Sequence, residues 1–384
     1  MRVKLTIALC TLIGIVMFGA CRKQASKPQN ANSNAASTQQ EAPVGGEATA
    51  GEKFYFRGTI ANNLQIEMTL VRDGDRLTGT YSYPKVGKSI ALNGTIDKDG
   101  NVEIKESDES GKDTGVFKGK WKPATDVPDI GLSEIEGKWS KPDRSKEATF
   151  LISQQPIEFS STARLATKVI KETNKQAHYS IDAEFPQIEG DTRFDKFNKE
   201  ARGMVTKEVA EWKTGETAGS DASAPALEDQ NSDLGIGFDF RLATDDLISV
   251  EFGEDAFSRG AAHPNNFTTV LNYDVKNGKK LTLADLFNPK SNYLSVVSSY
   301  CINDLKQQSK KNKDSMIDAD MMRSGASARA DNYKAWAITK KGLWITFDPY
   351  QVAPYAAGPQ HVLVPYSALK DVIKPDGPVA ALAK

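Results

Sequence analysis

The chain has 384 residues, which is enough for two or three domains once targeting segments are set aside. Its apolar fraction of 39%, with 8% aromatic residues, suffices for packed cores and excludes a wholly disordered chain. Forty-nine Lys and Arg residues against 50 Asp and Glu residues leave no basic excess, so the composition argues against nucleic-acid binding. Three His and three Cys residues argue equally against a zinc or redox centre, and we predict no metal and no cofactor.

The first twenty residues have the form of a bacterial export signal. A positive N-terminus precedes an uncharged stretch at 5–20, which is shorter than the ~20 apolar residues that span a bilayer. The stretch ends in small residues before Cys21 and resembles the bacterial lipobox. We therefore predict a lipoprotein signal peptide at residues 1–20 and attachment to the membrane through lipid on Cys21. An ordinary signal peptide or an uncleaved anchor is the alternative, because Phe18 stands where the lipoprotein pattern usually has Leu.

The segment that follows the signal is predicted to be a flexible tether. Residues 21–52 are rich in Ala, Ser, Asn, Gln and Gly and contain no aromatic residue, so they cannot bury enough surface to order themselves. A flexible chain of this length reaches about 30 Å from the membrane. Beyond Cys21 the mature chain keeps only Cys301, so it has no intramolecular disulfide, and the helical spacing around Cys301 predicts a buried apolar residue.

Residues 53–140 are predicted to form an antiparallel all-β meander, coiled into a small barrel or half-barrel. Apolar and polar residues alternate at 64–70, which is the period of a half-buried strand. Five times, a glycine lies between two apolar residues on the same strand face: Gly58, Gly79, Gly94, Gly119 and Gly137. A strand glycine permits a sharp bend or a close approach of the neighbouring wall, and its repetition favours a strongly coiled sheet.

Residues 157–376 are predicted to form an α+β domain. Two extended runs flank a hairpin turn at Asn174-Lys175, and a helix with a capping-box-like start at Thr192 follows. A second hairpin is indicated by Asn277-Gly278. The remaining elements are predicted as strands at 234–242 and 248–252, a helix at 293–308, a weakly patterned stretch to 329, strands at 335–339, 343–347 and 361–364, and a short helix around Leu369.

Three short motifs carry a resemblance to a known family: Phe185-Pro186-Gln187-Ile188, Gly260-Ala261-Ala262-His263-Pro264, and Phe347-Asp348-Pro349-Tyr350 with the residues 354–358 that follow. Over residues 165–375 the chain resembles the extracellular domain of the lysozyme-sensing anti-sigma factor, and a similar domain accompanies peptidoglycan deacetylases as a non-catalytic module. The resemblance implies an envelope domain that binds a ligand outside the cytoplasm, with lysozyme the known ligand of one member. The sequence contains no recognisable anti-sigma segment or deacetylase domain, so we do not expect the signalling role to carry over.

The candidate ligand-binding residues come from two loops. Arg259 and His263 lie in the first loop, where the histidine can titrate near neutrality. Asp348, Tyr350 and Tyr355 lie in the second loop, and their rings suit contact with a glycan or a protein. In the alternative, His263 caps a turn and the tyrosines pack beneath their own loop, and the residues taken alone favour this structural role. Convergence of the two loops would instead create one polar, aromatic surface.

Two classes of function follow from these residues. We prefer a non-enzymatic cell-envelope lipoprotein whose α+β domain binds a lysozyme-like protein or a peptidoglycan glycan. The alternative is a cell-wall or glycan hydrolase that uses His263 and Asp348. No complete nucleophile, metal or carboxylate-pair motif supports catalysis, and His178 and His361 are predicted to be packing residues. Binding predicts a shallow aromatic surface, whereas hydrolysis predicts a deep pocket with a perturbed histidine.

Overall fold

The computed structural model describes residues 51–125, 127, 129–160, 162–218 and 231–384. The predicted signal peptide at 1–20, the lipidation site Cys21 and the predicted tether up to residue 50 lie outside the described residues. Across these ranges no helix has the length and apolar character needed to cross a membrane.

The N-terminal part is a closed barrel of eight antiparallel strands. Its strands are β1 (Glu52–Ile60), β2 (Leu64–Asp73), β3 (Arg76–Ser82), β4 (Ser89–Ile96), β5 (Asn101–Ser107), β6 (Asp113–Pro123), β7 (Ser133–Ser140) and β8 (Glu147–Gln155). Strand β1 pairs with β2 on one side and with β8 on the other, which closes the barrel. The predicted all-β meander is confirmed. The closing strand β8 lies between the segments 53–140 and 157–376 that the sequence indicates as domains.

Glycine makes the tight coiling of this barrel possible. A Cβ atom on Gly79 would lie 1.9 Å from the carbonyl oxygen of Thr69 on the neighbouring strand. Gly119 and Gly137 face each other across β6 and β7, and a Cβ on Gly137 would lie 2.5 Å from the Cα of Gly119. No side chain fits at such distances, so the glycines mark places where adjacent strands approach closely. The recurring sequence pattern therefore has a steric cause.

The barrel interior is filled by side chains rather than by solvent. Its core includes Phe56, Met68, Leu77, Phe117 and Phe150, all of them buried. The rings of Phe117 and Phe150 meet edge to face with centroids 5.1 Å apart. An eight-stranded barrel is just wide enough for such a packed interior, so this part of the chain has a hydrophobic core of its own.

Glu106 is a buried carboxylate of this barrel. Glu106 accepts hydrogen bonds from the Tyr81 hydroxyl, from Thr114 Oγ1 at 3.0 Å and from Trp139 Nε1 at 3.1 Å. Burial, followed by the hydrogen bond with Glu106, raises the pKa of Tyr81 far above its ordinary value. Three neutral donors thus satisfy the buried acid.

The second part of the chain is an α+β domain, as predicted. A seven-stranded sheet contains β9 (Ile157–Glu158), β10 (Arg164–Asn174), β11 (Tyr179–Glu189), β12 (Ser232–Thr244), β13 (Leu247–Phe257), β14 (Asn265–Asp274) and β15 (Lys279–Lys280). The sheet is mixed, because β11 pairs with β12 in parallel while the hairpins are antiparallel. Helix α1 (Asp195–Ala218) packs on it through Phe197, Ala201, Val205 and Val209.

Two details near these elements differ from the sequence prediction. The side chain of Asp191, and not Thr192, accepts the first backbone N–H, and a 3₁₀ turn at Thr192–Phe194 precedes α1. His178 lies in the turn before β11 with φ of 53° rather than inside a strand. Both differences arise at chain reversals, where local hydrogen bonding decides the backbone conformation.

The C-terminal elements are α2 (Tyr293–Lys311), α3 (Ala319–Gly325), β16 (Trp336–Ile338), β17 (Gly342–Phe347), β18 (Gln360–Pro365) and α4 (Tyr366–Leu369). Strands β16, β17 and β18 form a second, three-stranded sheet that shares a core with α2. Helix α3 was not predicted, although Asp318 caps it by accepting from two backbone N–H groups. Cys301 is fully buried in this core, and burial raises the pKa of its thiol.

Candidate functional site

The two predicted loops meet at one end of the two sheets. Residues 258–264 join β13 to β14, and residues 348–359 join β17 to β18. Strand β16 is fastened to the larger sheet, because Asn272 Nδ2 donates to the Trp336 carbonyl at 2.8 Å and the Ile338 N–H donates to Ser249 Oγ at 2.8 Å. This fastening aligns the sheets so that both loops emerge side by side.

Three aromatic rings from these loops form one cluster. The rings of His263 and Tyr355 are stacked with centroids 3.9 Å apart and planes 25° from parallel. Tyr350 lies beside them, with its centroid 5.8 Å from that of Tyr355. We call His263, Tyr350 and Tyr355 the ring cluster. Neither tyrosine packs only beneath its own loop, so the geometry differs from the purely structural alternative considered for them.

Hydrogen bonds define the protonation of His263. Its Nδ1 lies 2.8 Å from the carbonyl oxygen of Pro264, which can only accept, so Nδ1 carries the proton. In the neutral ring Nε2 is then an acceptor, and the Tyr350 hydroxyl donates to it over 3.4 Å, a long and weak hydrogen bond. Both ring nitrogens therefore have partners within the two loops.

The hydroxyl of Tyr355 is tied to the sheet beneath the ring cluster. It donates to Asn266 Oδ1 at 3.1 Å, and Asn266 Nδ2 donates in turn to Asp255 Oδ2 at 2.6 Å. These bonds anchor the stacked His263–Tyr355 pair on the first residues of β14. The pair is thus a rigid base, whereas Tyr350 is the outer ring.

Tyr350 combines exposure with an unfavourable backbone conformation. Its side chain is 59% exposed, and its φ of 70° lies in the left-handed region that disfavours large L-residues. A turn holds it there, since the Tyr350 N–H donates to the Ala353 carbonyl at 3.0 Å. Such a residue costs about 1 kcal/mol or more in the folded state. An exposed ring kept at this cost is a candidate for direct ligand contact.

Asp348 lies two residues before Tyr350 in the second loop. Its Oδ1 atom is buried and has no hydrogen-bond partner among the described residues. Burial raises the pKa of this carboxyl, hydrogen bonds from Thr268 oppose the shift, and the charge of Glu251 reinforces it. The buried Oδ1 atom is an unsatisfied hydrogen-bond acceptor in the same loop as Tyr350.

Arg259 stands apart from the other four predicted residues. It is exposed, and its backbone N–H donates to Ser232 Oγ at 2.8 Å. Within the described part of the chain its guanidinium forms no ion pair and lies over no ring of the cluster. The structure therefore brings together His263, Tyr350 and Tyr355. Asp348 is close to Tyr350 in sequence but forms no hydrogen bond with the three rings among the described residues, and Arg259 lies at the far end of its own loop.

A polar network behind Asp348 was missed in the sequence. Arg241 and Glu251 form a buried ion pair at 2.6 Å, and Thr346 Oγ1 donates to Glu251 at 2.6 Å. Thr346 Oγ1 also lies 3.2 Å from Nδ1 of His361, whose ring stacks on Trp344 with centroids 4.9 Å apart. His361 is thus a packing residue with a polar contact. The available signal was Glu251 itself, a charged residue within the apolar run Val250–Phe252.

The ring cluster lacks the direct contacts of a catalytic pair. The partners of His263 are Pro264 and Tyr350, and no hydrogen bond joins His263 to Asp348 in the described structure. No group of three or more His, Cys, Asp or Glu side chains in the described ranges could hold a metal ion. The arrangement can offer stacked rings, a hydroxyl and a buried acid to a ligand.

Part of the chain is similar to a family of known proteins. Residues 284–367, which include Asp348, Tyr350 and Tyr355, match the family described as "Protein of unknown function (DUF3298)". A solved structure of a DUF3298 family member from Bacteroides fragilis aligns with a TM-score of 0.43 and 18% sequence identity. That alignment covers 59% of this chain and 99% of the other chain.

Two curated proteins show similarity over parts of their length. The peptidoglycan-N-acetylmuramic acid deacetylase PdaC of Bacillus subtilis is 27% identical over 145 residues, covering 38% of this chain and 30% of PdaC. Aminopeptidase 2 of Candida albicans is 26% identical over 197 residues, covering 49% of this chain and 21% of that protein. The chain thus spans less than a third of either relative. The predicted similarity to a peptidoglycan deacetylase is confirmed over that stretch, and residues 284–367 are similar to the DUF3298 family.

Proposed function

We propose that this protein is a non-catalytic component of the cell envelope whose α+β domain binds an extracytoplasmic ligand through the ring cluster. Cell-wall glycan is the ligand class we favour, and a lysozyme-like protein is the second. The observation that carries the proposal is the exposed Tyr350, held in an unfavourable backbone beside the stacked His263–Tyr355 pair. Strain of this kind persists at ligand-contacting positions because the surrounding structure enforces it.

Chemistry supports a glycan as the occupant. Sugar rings present apolar C–H faces and polar edges, and amphipathic rings such as Tyr350 match both. The neighbouring Asn266 amide and Asp255 carboxylate supply an adjacent donor and acceptor for hydroxyl groups. The name of PdaC contains N-acetylmuramic acid, a sugar of peptidoglycan, which directs the proposal to cell-wall material.

The cellular location of the protein is part of the same proposal. We propose that residues 1–20 are a lipoprotein signal, that Cys21 carries the lipid, and that the segment to about residue 52 is a tether to the membrane. The sequence pattern before Cys21 supports this. Fractionation of a Cys21→Ala variant tests it, because release from the membrane fraction or failure of processing is the expected result. Membrane attachment and migration identical to the unaltered protein would contradict it.

A hydrolase acting through His263 and Asp348 is the second candidate. It draws on one observation, the raised pKa and unpaired Oδ1 of Asp348, which are features of catalytic acids. Against it stands the position of His263, whose partners are the Pro264 carbonyl and, over a long 3.4 Å, the Tyr350 hydroxyl, with no hydrogen bond to Asp348 in the described structure. The binding proposal therefore accounts for more of the geometry.

Co-sedimentation with purified peptidoglycan sacculi distinguishes the candidates. Tyr350→Ala should weaken retention by about tenfold, because truncating an interface aromatic costs ~1–2 kcal/mol or more. Phe267→Ala is the matched control, since Phe267 is 49% exposed on the same strand as Asn266 but on its opposite face. Equal loss in both variants, or none in Tyr350→Ala, would exclude the ring cluster as the site. Sugar release that His263→Ala abolishes would establish the hydrolase instead.

A further inference from the structure

The barrel and the seven-stranded sheet meet along a polar seam. They belong to one compact unit from Ala50 to Lys384. Arg57 on β1 reaches out of the barrel, donates to Glu184 at 2.9 Å and to the Phe238 carbonyl, and lies 3.7 Å over the Phe238 ring. Its Nε is 3.6 Å from Glu67. Around Arg57 the seam is therefore organised by a buried charge cluster. Elsewhere the barrel residues Val127 and Ile130 join an apolar cluster with Trp344 of the second part.

Two open cavities flank Arg57. One, of about 340 Å³, lies between the barrel wall and strands β11–β13, with Gln65, Gln154 and Asp239 in its walls. The other, of about 430 Å³, lies between the outer faces of β1–β3 and strand β10. Arg57 and Gln155 line both cavities. We call the two together the seam cleft. Each cavity has the volume of an ordinary small-ligand site, roughly 300–1,000 Å³, and domain interfaces are frequent places for such sites.

The larger cavity carries an excess of positive charge. Lys53, Arg164 and Lys168 contribute to its walls. Glu189 accepts from Arg164 at 3.0 Å and from Lys168 at 2.8 Å, while Lys53 lies 4.6 Å over the ring of Tyr55. Arg164 and Lys168 share Glu189, whereas Lys53 has no carboxylate partner among the described residues. With Arg57 included, four cations and two carboxylates, Glu67 and Glu189, line this cavity. An acidic ligand would meet favourable charges here without having to displace a complete set of ion pairs.

The remaining walls are rich in neutral hydrogen-bonding groups. Thr69, Thr80 and Ser82 present hydroxyls in the larger cavity, and side-chain amides serve the smaller one. Hydroxyls and amides both donate and accept, which is what the hydroxyl groups of a sugar require. An acidic peptide is the competing occupant, because β10 is the end strand of its sheet and could pair with a peptide backbone. Hydroxyl-rich barrel walls and a second polar cavity beyond the sheet edge favour the sugar.

We propose that the seam cleft is a second binding site, separate from the ring cluster, and that it takes a carboxylated oligosaccharide. The carboxylates of the ligand lie next to Lys53, Arg164 and Lys168, and its hydroxyl groups lie along the Thr and Gln side chains of the cleft. This site does not depend on the function proposed for the ring cluster. Its ligand is defined by charge and hydroxyl pattern alone.

Calorimetric titration of the purified full chain with tetragalacturonate, in low salt, tests the proposal. We expect saturable binding that weakens at least tenfold when the four carboxylates are methyl-esterified, since size and hydroxyls stay alike while charge is lost. Lys53→Ala/Arg164→Ala should weaken binding about tenfold, as expected for lost charge-assisted contacts. Thr80→Trp should abolish it, because Thr80 is exposed on a strand that tolerates an aromatic residue and the indole would fill the cavity.

Matched variants keep the outcome unambiguous. Lys118→Ala/Lys138→Ala removes two exposed lysines elsewhere on the barrel and leaves the same net charge as the test pair. It should bind normally, as should Tyr350→Ala, and thermal melts should show that every variant is folded. The proposal is overturned if Lys53→Ala/Arg164→Ala and Lys118→Ala/Lys138→Ala weaken binding equally, or if the methyl ester binds as well as the acid. Tetraglutamate binding as tightly as tetragalacturonate would replace the sugar by an acidic peptide. Failure of Tyr350→Ala in the sacculus assay alone leaves this result unaffected.

Discussion

Replacing Arg57 by alanine should destabilise the protein by about 3–5 kcal/mol, the usual cost of breaking a buried ion pair by removing one partner. The Arg57 and Glu184 side chains are only 10% and 9% exposed, so neither can regain hydration while the seam is closed. Without Arg57 the Glu184 carboxylate is buried next to Glu67, which bears the same charge. The guanidinium stacking on Phe238 is lost as well. For a unit of this size the loss corresponds to a melting temperature roughly 4–7 °C lower.

The pH dependence of this variant has a definite sign. Burial raises the pKa of Glu184 above its ordinary value even with Arg57 beside it, although Arg57 opposes the shift. A raised folded-state pKa means that the folded protein binds more protons, so stability falls as pH rises through the titration of Glu184. Removing Arg57 raises this pKa further. The destabilisation should therefore be larger at pH 8 than at pH 4.5, because the raised pKa leaves more of the carboxyl protonated at the lower pH.

Urea denaturation and calorimetric melting at both pH values measure the effect. Arg57→Ala/Glu184→Gln should recover part of the stability, because a neutral amide is less costly to bury than an unpaired carboxylate. Arg193→Ala is the control, as it removes an arginine from a half-exposed pair with Asp191 and should leave the melting temperature nearly unchanged. An Arg57→Ala protein within about 1 kcal/mol of the unaltered chain would refute the view that this cluster holds the seam.

Three other substitutions probe the barrel and the ring cluster. Gly79→Ala should lower the free energy of unfolding by about 1–3 kcal/mol, because the new Cβ would lie 1.9 Å from the Thr69 carbonyl oxygen. Gly203→Ala, on the open face of α1, should raise it by up to ~1 kcal/mol, and urea denaturation that ranks the two variants equally would contradict the steric argument. Tyr350→Gly should raise stability by about 1 kcal/mol by relieving the left-handed backbone while weakening sacculus binding, and unchanged binding would exclude a contact role for the ring. Asp348→Asn should flatten the fall in stability with rising pH, because burial raises the pKa of Asp348 above its ordinary 3.8 and its carboxyl must therefore ionise at a cost in the folded protein. Melts from about pH 4 to pH 8 check this, and an unaltered slope would show that other groups cause the fall.

Periodic patterns in the sequence predicted much of the fold because they reflect local rules. The alternation at 64–70 and the repeated strand glycines led to an all-β barrel, and Asn277-Gly278 led to the hairpin between β14 and β15. Helix α3 was not predicted, because its seven residues lie within a charged stretch and show little helical periodicity. The Arg57–Glu184 contact joins residues 127 positions apart and leaves no periodic trace at all. Contacts across the seam follow from how the sheets pack and not from either segment alone.

The candidate site shows the same division between local chemistry and tertiary geometry. The residue types, together with the glycine and proline residues of the two loops, indicated His263, Asp348, Tyr350 and Tyr355 as candidates from the sequence alone. The stacking of His263 on Tyr355 across 92 positions of sequence, and the left-handed backbone of Tyr350, depend on how two sheets are fastened together. Arg259 was grouped with them only because it is close in sequence, and its side chain does not reach the rings.

The ring cluster and the larger cavity of the seam cleft lie far enough apart to act independently. Four strand spacings separate β10, which borders the larger cavity, from β14, which carries the anchor of the ring cluster, and at ~4.8 Å each they amount to about 19 Å. Substitutions at such a distance usually contribute additively to free energy. A long glycan that occupies both sites would nevertheless bind more tightly than the two separate affinities predict, because the second contact becomes intramolecular. Combining Tyr350→Ala with Lys53→Ala/Arg164→Ala therefore separates one shared polymer from two unrelated ligands. If one polymer binds both sites, either Tyr350→Ala or Lys53→Ala/Arg164→Ala alone should remove most of the affinity for long chains. A short fragment that occupies one site should lose affinity only when that site is changed.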